Sequence, residues 1–149
     1  MKKILFLHGF FATGNCPMAR ALKEAFEGTV VVLTPDLPLH PKEALNEIRS
    51  IIDREQPDLL LGNSCGSFLA QMLAPVVAVQ FDHCNPYYKD RVWGLFGEQD
   101  TLDHFSPLFL EHYNQAFHFP GGHTPTEQEV KTWYAPLAQK MLLEFSAYF

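Results

Sequence analysis

The chain has little cysteine. Its three residues, Cys16, Cys65 and Cys84, are widely spaced with no CxxC pair. That excludes a disulfide framework and argues against a structural zinc site. Clustered positive charge is also missing: 11 Lys and Arg stand against 17 Asp and Glu, a net charge of −6. Nucleic acid is therefore not an expected partner, because its backbone is bound by grouped Lys and Arg. Nor is there a long hydrophobic run. No stretch approaches the roughly 18 apolar residues of a membrane span. The apolar start at residues 4–7 breaks at His8-Gly9, short of the ~7–15 residues a secretory signal needs. The expectations are no membrane partner and a reducing, cytoplasmic location.

What is present points to a folded domain. Only 19% of residues are charged and 13 of the 149 are Phe, unlike a disordered chain. This length suits one domain, 1–149, with a substantial core. Short apolar runs at residues 4–7, 30–33, 59–61, 76–81, 92–96 and 117–119 alternate with helical patterns at 18–26, 43–54, about 67–73 and 107–114. Thr126 to Glu129 reads as a capping box opening a last helix, with a kink expected at Pro136. Such alternation predicts an α/β fold of about six mostly parallel strands with helices on both faces, a three-layer αβα sandwich. Ligands then bind beyond the carboxyl ends of the strands.

The strongest motif lies there. Gly62-Asn63-Ser64-Cys65-Gly66 is a G-x-S-x-G between a buried strand and an apolar helix, the context in which that motif presents a nucleophilic Ser. Cys65 as nucleophile would shift the motif onto Asn63, where a small residue is required. Cys65 instead offers its backbone N–H. A Ser nucleophile needs a base and an acid to orient that base. Asp100 follows the 92–96 strand and His123 lies in Gly121-Gly122-His123 near the end, giving the chain order Ser, Asp, His. Asp103 is the alternative acid. His8, His83, His104, His112 and His118 read as packing or surface residues, and Asp36 as a loop-shaping residue. Phe10 after the first strand is the expected second oxyanion donor beside Cys65, with Phe11 the alternative. The histidines are scattered and no glycine-rich phosphate loop is present, so neither a metal nor an organic cofactor is expected.

Together these residues resemble the α/β-hydrolase superfamily. More narrowly, His8-Gly9-Phe10, Leu37-Pro38-Leu39-His40-Pro41, Gly62–Gly66, Asn85-Pro86, Gly97–Asp103 and Gly121-Gly122-His123 resemble the small bacterial YqiA-type esterases. The resemblance implies a carboxylesterase with Ser64 nucleophile, His123 base and Asp100 acid. It departs in one respect. Only residues 87–91 separate Pro86 from Val92, where members of that group insert a helical cap.

A capless site is expected to be shallow, lined by Phe10, Phe11, Tyr87, Tyr88 and Leu102. A homodimer covering these aromatics is a further expectation. The function read from the sequence is hydrolysis of small carboxylic esters or thioesters through an acyl-enzyme. The alternatives are a non-catalytic small-ligand-binding protein on the same scaffold, or an amide or carbon–carbon hydrolase using the same three residues.

Overall fold

The computed structural model describes residues 1–81, 92–113 and 115–145, with backbone alone for 74–81, 101–102 and 145. Strand β1 (Lys2–Leu7) leads to helix α1 (Pro17–Ala25), strand β2 (Val30–Leu33), helix α2 (Pro41–Glu55) and strand β3 (Leu59–Gly62). Helix α3 (Cys65–Phe81) follows directly. Next come strand β4 (Trp93–Gly97), a 3₁₀ turn (Thr101–Phe105), helix α4 (Ser106–His112) and strand β5 (Gln115–Phe119). A single turn α5 (Glu127–Glu129), a π turn (Val130–Tyr134) and helix α6 (Ala135–Phe145) complete the order.

Among the described residues all strand pairing is parallel. β1 lies between β2 and β3, while β4 pairs with β5 as a second group. Because side chains alternate across a strand, β1 feeds two cores. Ile4 and Phe6 pack with Met18, Leu22 and Phe26 of the α1 region and with Val130, Ala138 and Leu142 near the C-terminus. Leu5 and Leu7 pack with Ala44, Ile48, Ile51 and Ile52 of α2 and Leu69 and Leu73 of α3. That is the predicted layering, with helices on both faces.

One sequence expectation fails. Residues 76–81, read as a fourth strand, continue α3, so five strands rather than six occur among the described residues. Apart from Gln80 the segment is apolar in sequence, and a short apolar run carries no period to separate a buried strand from a buried helix. Pro75, which ordinarily ends a helix, sits inside this one.

The C-terminal prediction is met with more detail. Thr126 and Glu129 form the reciprocal capping box. The kink expected at Pro136 is a π turn just before it, where Ala135 N–H bonds the Val130 carbonyl five residues back. Pro136 has no N–H and its ring crowds the carbonyl of Thr132, so the ladder widens ahead of it.

Candidate functional site

Gly62 ends β3, Cys65 begins α3, and Ser64 in between takes a left-handed backbone with φ of 57°. A non-glycine residue there is uncommon and strained. Its neighbours make the turn feasible. A side chain at Gly62 would run into the backbone of Gly66 and Ser67, and one at Gly66 into the Leu7 carbonyl of β1. Both positions must be glycine for strand and helix to approach this closely. Ser67 Oγ donates to the Gly62 carbonyl at 2.7 Å and closes the turn from inside.

The loop after β1 runs alongside. A Cβ built on Gly9 would lie 3.4 Å from Ser64 Cβ. His8 is buried, and its ring fixes that loop. Leu37 N–H donates to His8 Nε2 at 2.9 Å, so the proton resides on Nδ1, which donates to the Gly9 carbonyl at 2.8 Å. His8 is thus a neutral staple between the loops after β1 and β2, the packing role read from its position. Asp36 serves the same loops, accepting from Gly14 N–H at 2.7 Å. Among the described residues, no hydrogen bond is recorded on the backbone N–H of Phe10 or of Cys65.

The structure brings Ser64, Asp100 and His123 together. His123 Nδ1 lies 2.7 Å from Asp100 Oδ2, and His123 Nε2 lies 3.0 Å from Ser64 Oγ. A carboxylate only accepts, so Nδ1 carries the proton and Nε2 accepts from the Ser64 hydroxyl. This tautomer can take the hydroxyl proton. Asp103, the alternative acid, is engaged elsewhere: its Oδ1 is 2.8 Å from Nδ1 of His118. Two Asp–His pairs therefore stand side by side, and only the first reaches Ser64.

The two loops carrying Asp100 and His123 are laced together by backbone. Glu98 N–H donates to the Phe119 carbonyl and Gln99 N–H to the Gly121 carbonyl, each at 2.9 Å. A side chain at Gly97 would meet the Gly121 and Gly122 carbonyls at 2.6 and 2.7 Å, so glycine there lets the loops touch.

Two contributors were not legible in the motifs. Tyr134, on the π turn, is hydrogen-bonded to the side chain of Asn63, the residue before Ser64. Burial pushes its phenol up to about 12. The bond to Asn63 opposes this, while the nearby charges of Glu129 and Asp100 add to it. The other is His118, whose carboxylate partner was hidden by their separation of 15 residues. The kink at Pro136 was the only local sign that this stretch was special.

The residues expected to line the site are placed as follows. Phe10 and Phe11 are exposed, at 54% and 82%, and touch each other edge to face. Leu102 lies on the 3₁₀ turn beside Asp100 by its backbone, and Tyr87 and Tyr88 lie outside the described residues. Among the described residues no helix is long and apolar enough to cross a membrane. None of their His, Cys, Asp and Glu side chains form a group of three or more placed to hold a metal ion.

Known structures of the same shape include Est1E from Butyrivibrio proteoclasticus with ferulic acid bound (TM-score 0.70, 14% identity, 96% of this chain and 90% of that one). SOBER1 from Arabidopsis thaliana matches with a TM-score of 0.65 and 16% identity, over 95% of this chain and 99% of that one. Dienelactone hydrolase from Anabaena variabilis matches with a TM-score of 0.62 and 17% identity, over 100% of this chain and 87% of that one. At such identities the likeness is one of fold. No curated protein sequence matches significantly. A sequence model described as the Alpha/beta hydrolase family matches residues 4–147, nearly the whole chain, and with the parallel sheet and its flanking helices it shows that this chain belongs to that family.

Proposed function

We propose that the protein is a serine hydrolase of small carboxylic esters, with Ser64 as nucleophile, His123 as base and Asp100 as the acid that orients it. The observation that carries this reading is His123 bonded to both partners, at 2.7 and 3.0 Å, in the one tautomer that suits proton abstraction. Ser64 Oγ attacks the ester carbonyl and its proton passes to His123 Nε2. The N–H groups of Phe10 and Cys65 receive the negative oxygen, a role worth about 2.7–4 kcal/mol for each donor. Collapse expels the alcohol, which takes the proton from His123. Water then attacks the acyl-Ser64 ester, giving a proton to His123. Release of the carboxylic acid returns that proton to Ser64 Oγ.

Support comes from relatives in shape: Est1E is seen with ferulic acid bound, and another is named as a dienelactone hydrolase. The resemblance to YqiA-type esterases agrees. On this reading, residues 1–149 act as one domain without a cap, in the cytoplasm and without a cofactor. Pairing into a homodimer through Phe10 and Phe11 is part of the same proposal.

The test is labelling with a fluorophosphonate, followed by peptide mapping. The expected result is one adduct, on Ser64, with none on Ser64→Ala. A folded wild type that takes up no label overturns the hydrolase reading and favours a ligand-binding protein on the same scaffold.

A further inference from the structure

A cleft of about 190 Å³ opens next to the Ser64 turn. It is bordered by Phe10 and Phe11 after β1, Leu37 and Leu39 after β2, and Cys65 and Leu69 of α3. Among the described residues, none from the loops after β4 and β5, which carry Asp100 and His123, borders it. Among the described residues its lining holds no carboxylate, ammonium or guanidinium, and both ring nitrogens of His8 are already engaged by Leu37 and Gly9. A charged ligand group entering it would lose its hydration and meet no partner.

The position assigns the occupant. In the reaction proposed above, on which this inference rests, the leaving oxygen takes its proton from His123 Nε2. The alcohol part therefore lies on the His123 side of Ser64. The carbonyl oxygen turns toward the N–H groups of Phe10 and Cys65. The remaining substituent is the acyl chain, and the apolar space bordered by Phe10 and Cys65, whose N–H groups hold that oxygen, is this cleft.

Size limits it. A cavity of about 150 Å³ accommodates benzene, whereas drug-sized ligands take roughly 300–1,000 Å³. We infer that the cleft between the loops after β1 and β2 and helix α3 is an acyl subsite, selecting neutral esters with an apolar acyl arm of about four to eight carbons.

The experiment is a chain-length series of p-nitrophenyl esters, acetate to dodecanoate, with the leaving group held constant. Each methylene entering an apolar site is worth up to about fourfold in kcat/KM. Because the cleft is open, the expected gain from acetate to hexanoate is at least about tenfold, with a decline beyond octanoate. A monosuccinate ester is expected to be at least about tenfold poorer than the hexanoate. Ala12, a loop residue on the cleft wall, is the site to fill: Ala12→Phe is expected to lower the hexanoate-to-acetate ratio at least about fivefold. Should that variant not fold, Leu39→Trp at the exposed mouth makes the same test. A reversed series of acetates with lengthening alcohols is expected to be flat. An optimum in the alcohol series, or a preference for the succinate, overturns the acyl assignment. A flat acyl profile, with acetate turned over and Ser64 labelled, overturns the subsite alone and leaves the hydrolase reading in place. Absence of both turnover and a Ser64 adduct overturns the two together.

Discussion

β1 and β4 are both parallel strands that end at the site, yet they are held by different means. Residues Ile4, Leu5, Phe6 and Leu7 of β1 are at most 1% exposed, and they pack into separate cores on the two faces of the sheet. Of β4, Gly97 alone is fully buried, and Trp93 through Phe96 are half-buried. The β4–β5 unit relies on ring contacts such as Trp93 with Phe117 at 5.4 Å, on Lys140 over the Trp93 ring at 5.7 Å, and on the hydrogen bonds between its loops. Ser64 and the loop beside it are mounted on the first unit, Asp100 and His123 on the second. The position of Ser64 is thus a property of dry packing, and the alignment of His123 and Asp100 a property of hydrogen bonds. Damage to the first should register as lost stability, damage to the second as lost turnover.

That contrast can be broken at its strongest point by the two aspartates. On the proposed mechanism, Asp100→Asn is expected to lower kcat by about 10⁴-fold through the wrong imidazole tautomer. Asp103→Asn, which touches only the half-exposed His118, is expected to cost less than about tenfold. Single-turnover kinetics of both variants check this, and equal losses would erase the distinction between the two Asp–His pairs. Next in size is packing. Phe6→Ala empties a site shared by β1, α1 and the C-terminal helices, and is expected to cost about 3–5 kcal/mol in urea unfolding. Phe117→Ala in half-buried β5 is expected to cost about 1–2 kcal/mol. Comparable losses would mean that the halves are equally packed.

A pH-dependent effect sharpens the junction between them. Tyr134 contacts Phe119 of β5 by its ring and Asn63 by its hydroxyl. Its folded pKa, about 12, lies above the ordinary phenol value near 10, so the unfolded chain loses this proton first as pH rises. The stabilisation is complete below pH 10 and is lost progressively between about pH 10 and 12, amounting to about 2–3 kcal/mol. Tyr134→Phe should flatten that part of the stability–pH curve, as measured by urea unfolding at stepped pH. An unchanged slope would remove Tyr134 from the junction.

Local features of the sequence were read where a short-range rule applies. Apolar runs marked all five strands of the described residues. Gly62 and Gly66 announced a turn too tight for side chains, and Thr126 with Glu129 announced a helix start. The 76–81 segment was misread because its apolar residues have no period. Asp100 was read as the acid with Asp103 as the alternative, since the two sit one turn apart on the same loop and their partners are remote in sequence.

By itself, then, the order of residues determined the layered parallel architecture, the strained serine turn and the Ser–Asp–His order along the chain. These follow from periodicity, glycine sterics and motif spacing, all of which act over a few residues. Tertiary structure alone decided that Asp100 meets His123 while Asp103 meets His118, that Tyr134 supports Asn63, and that a neutral apolar cleft lies on one side of Ser64. Each of those depends on how two loops or a loop and a helix come to rest against each other, which is settled by packing across the whole core and leaves no trace in neighbouring residues.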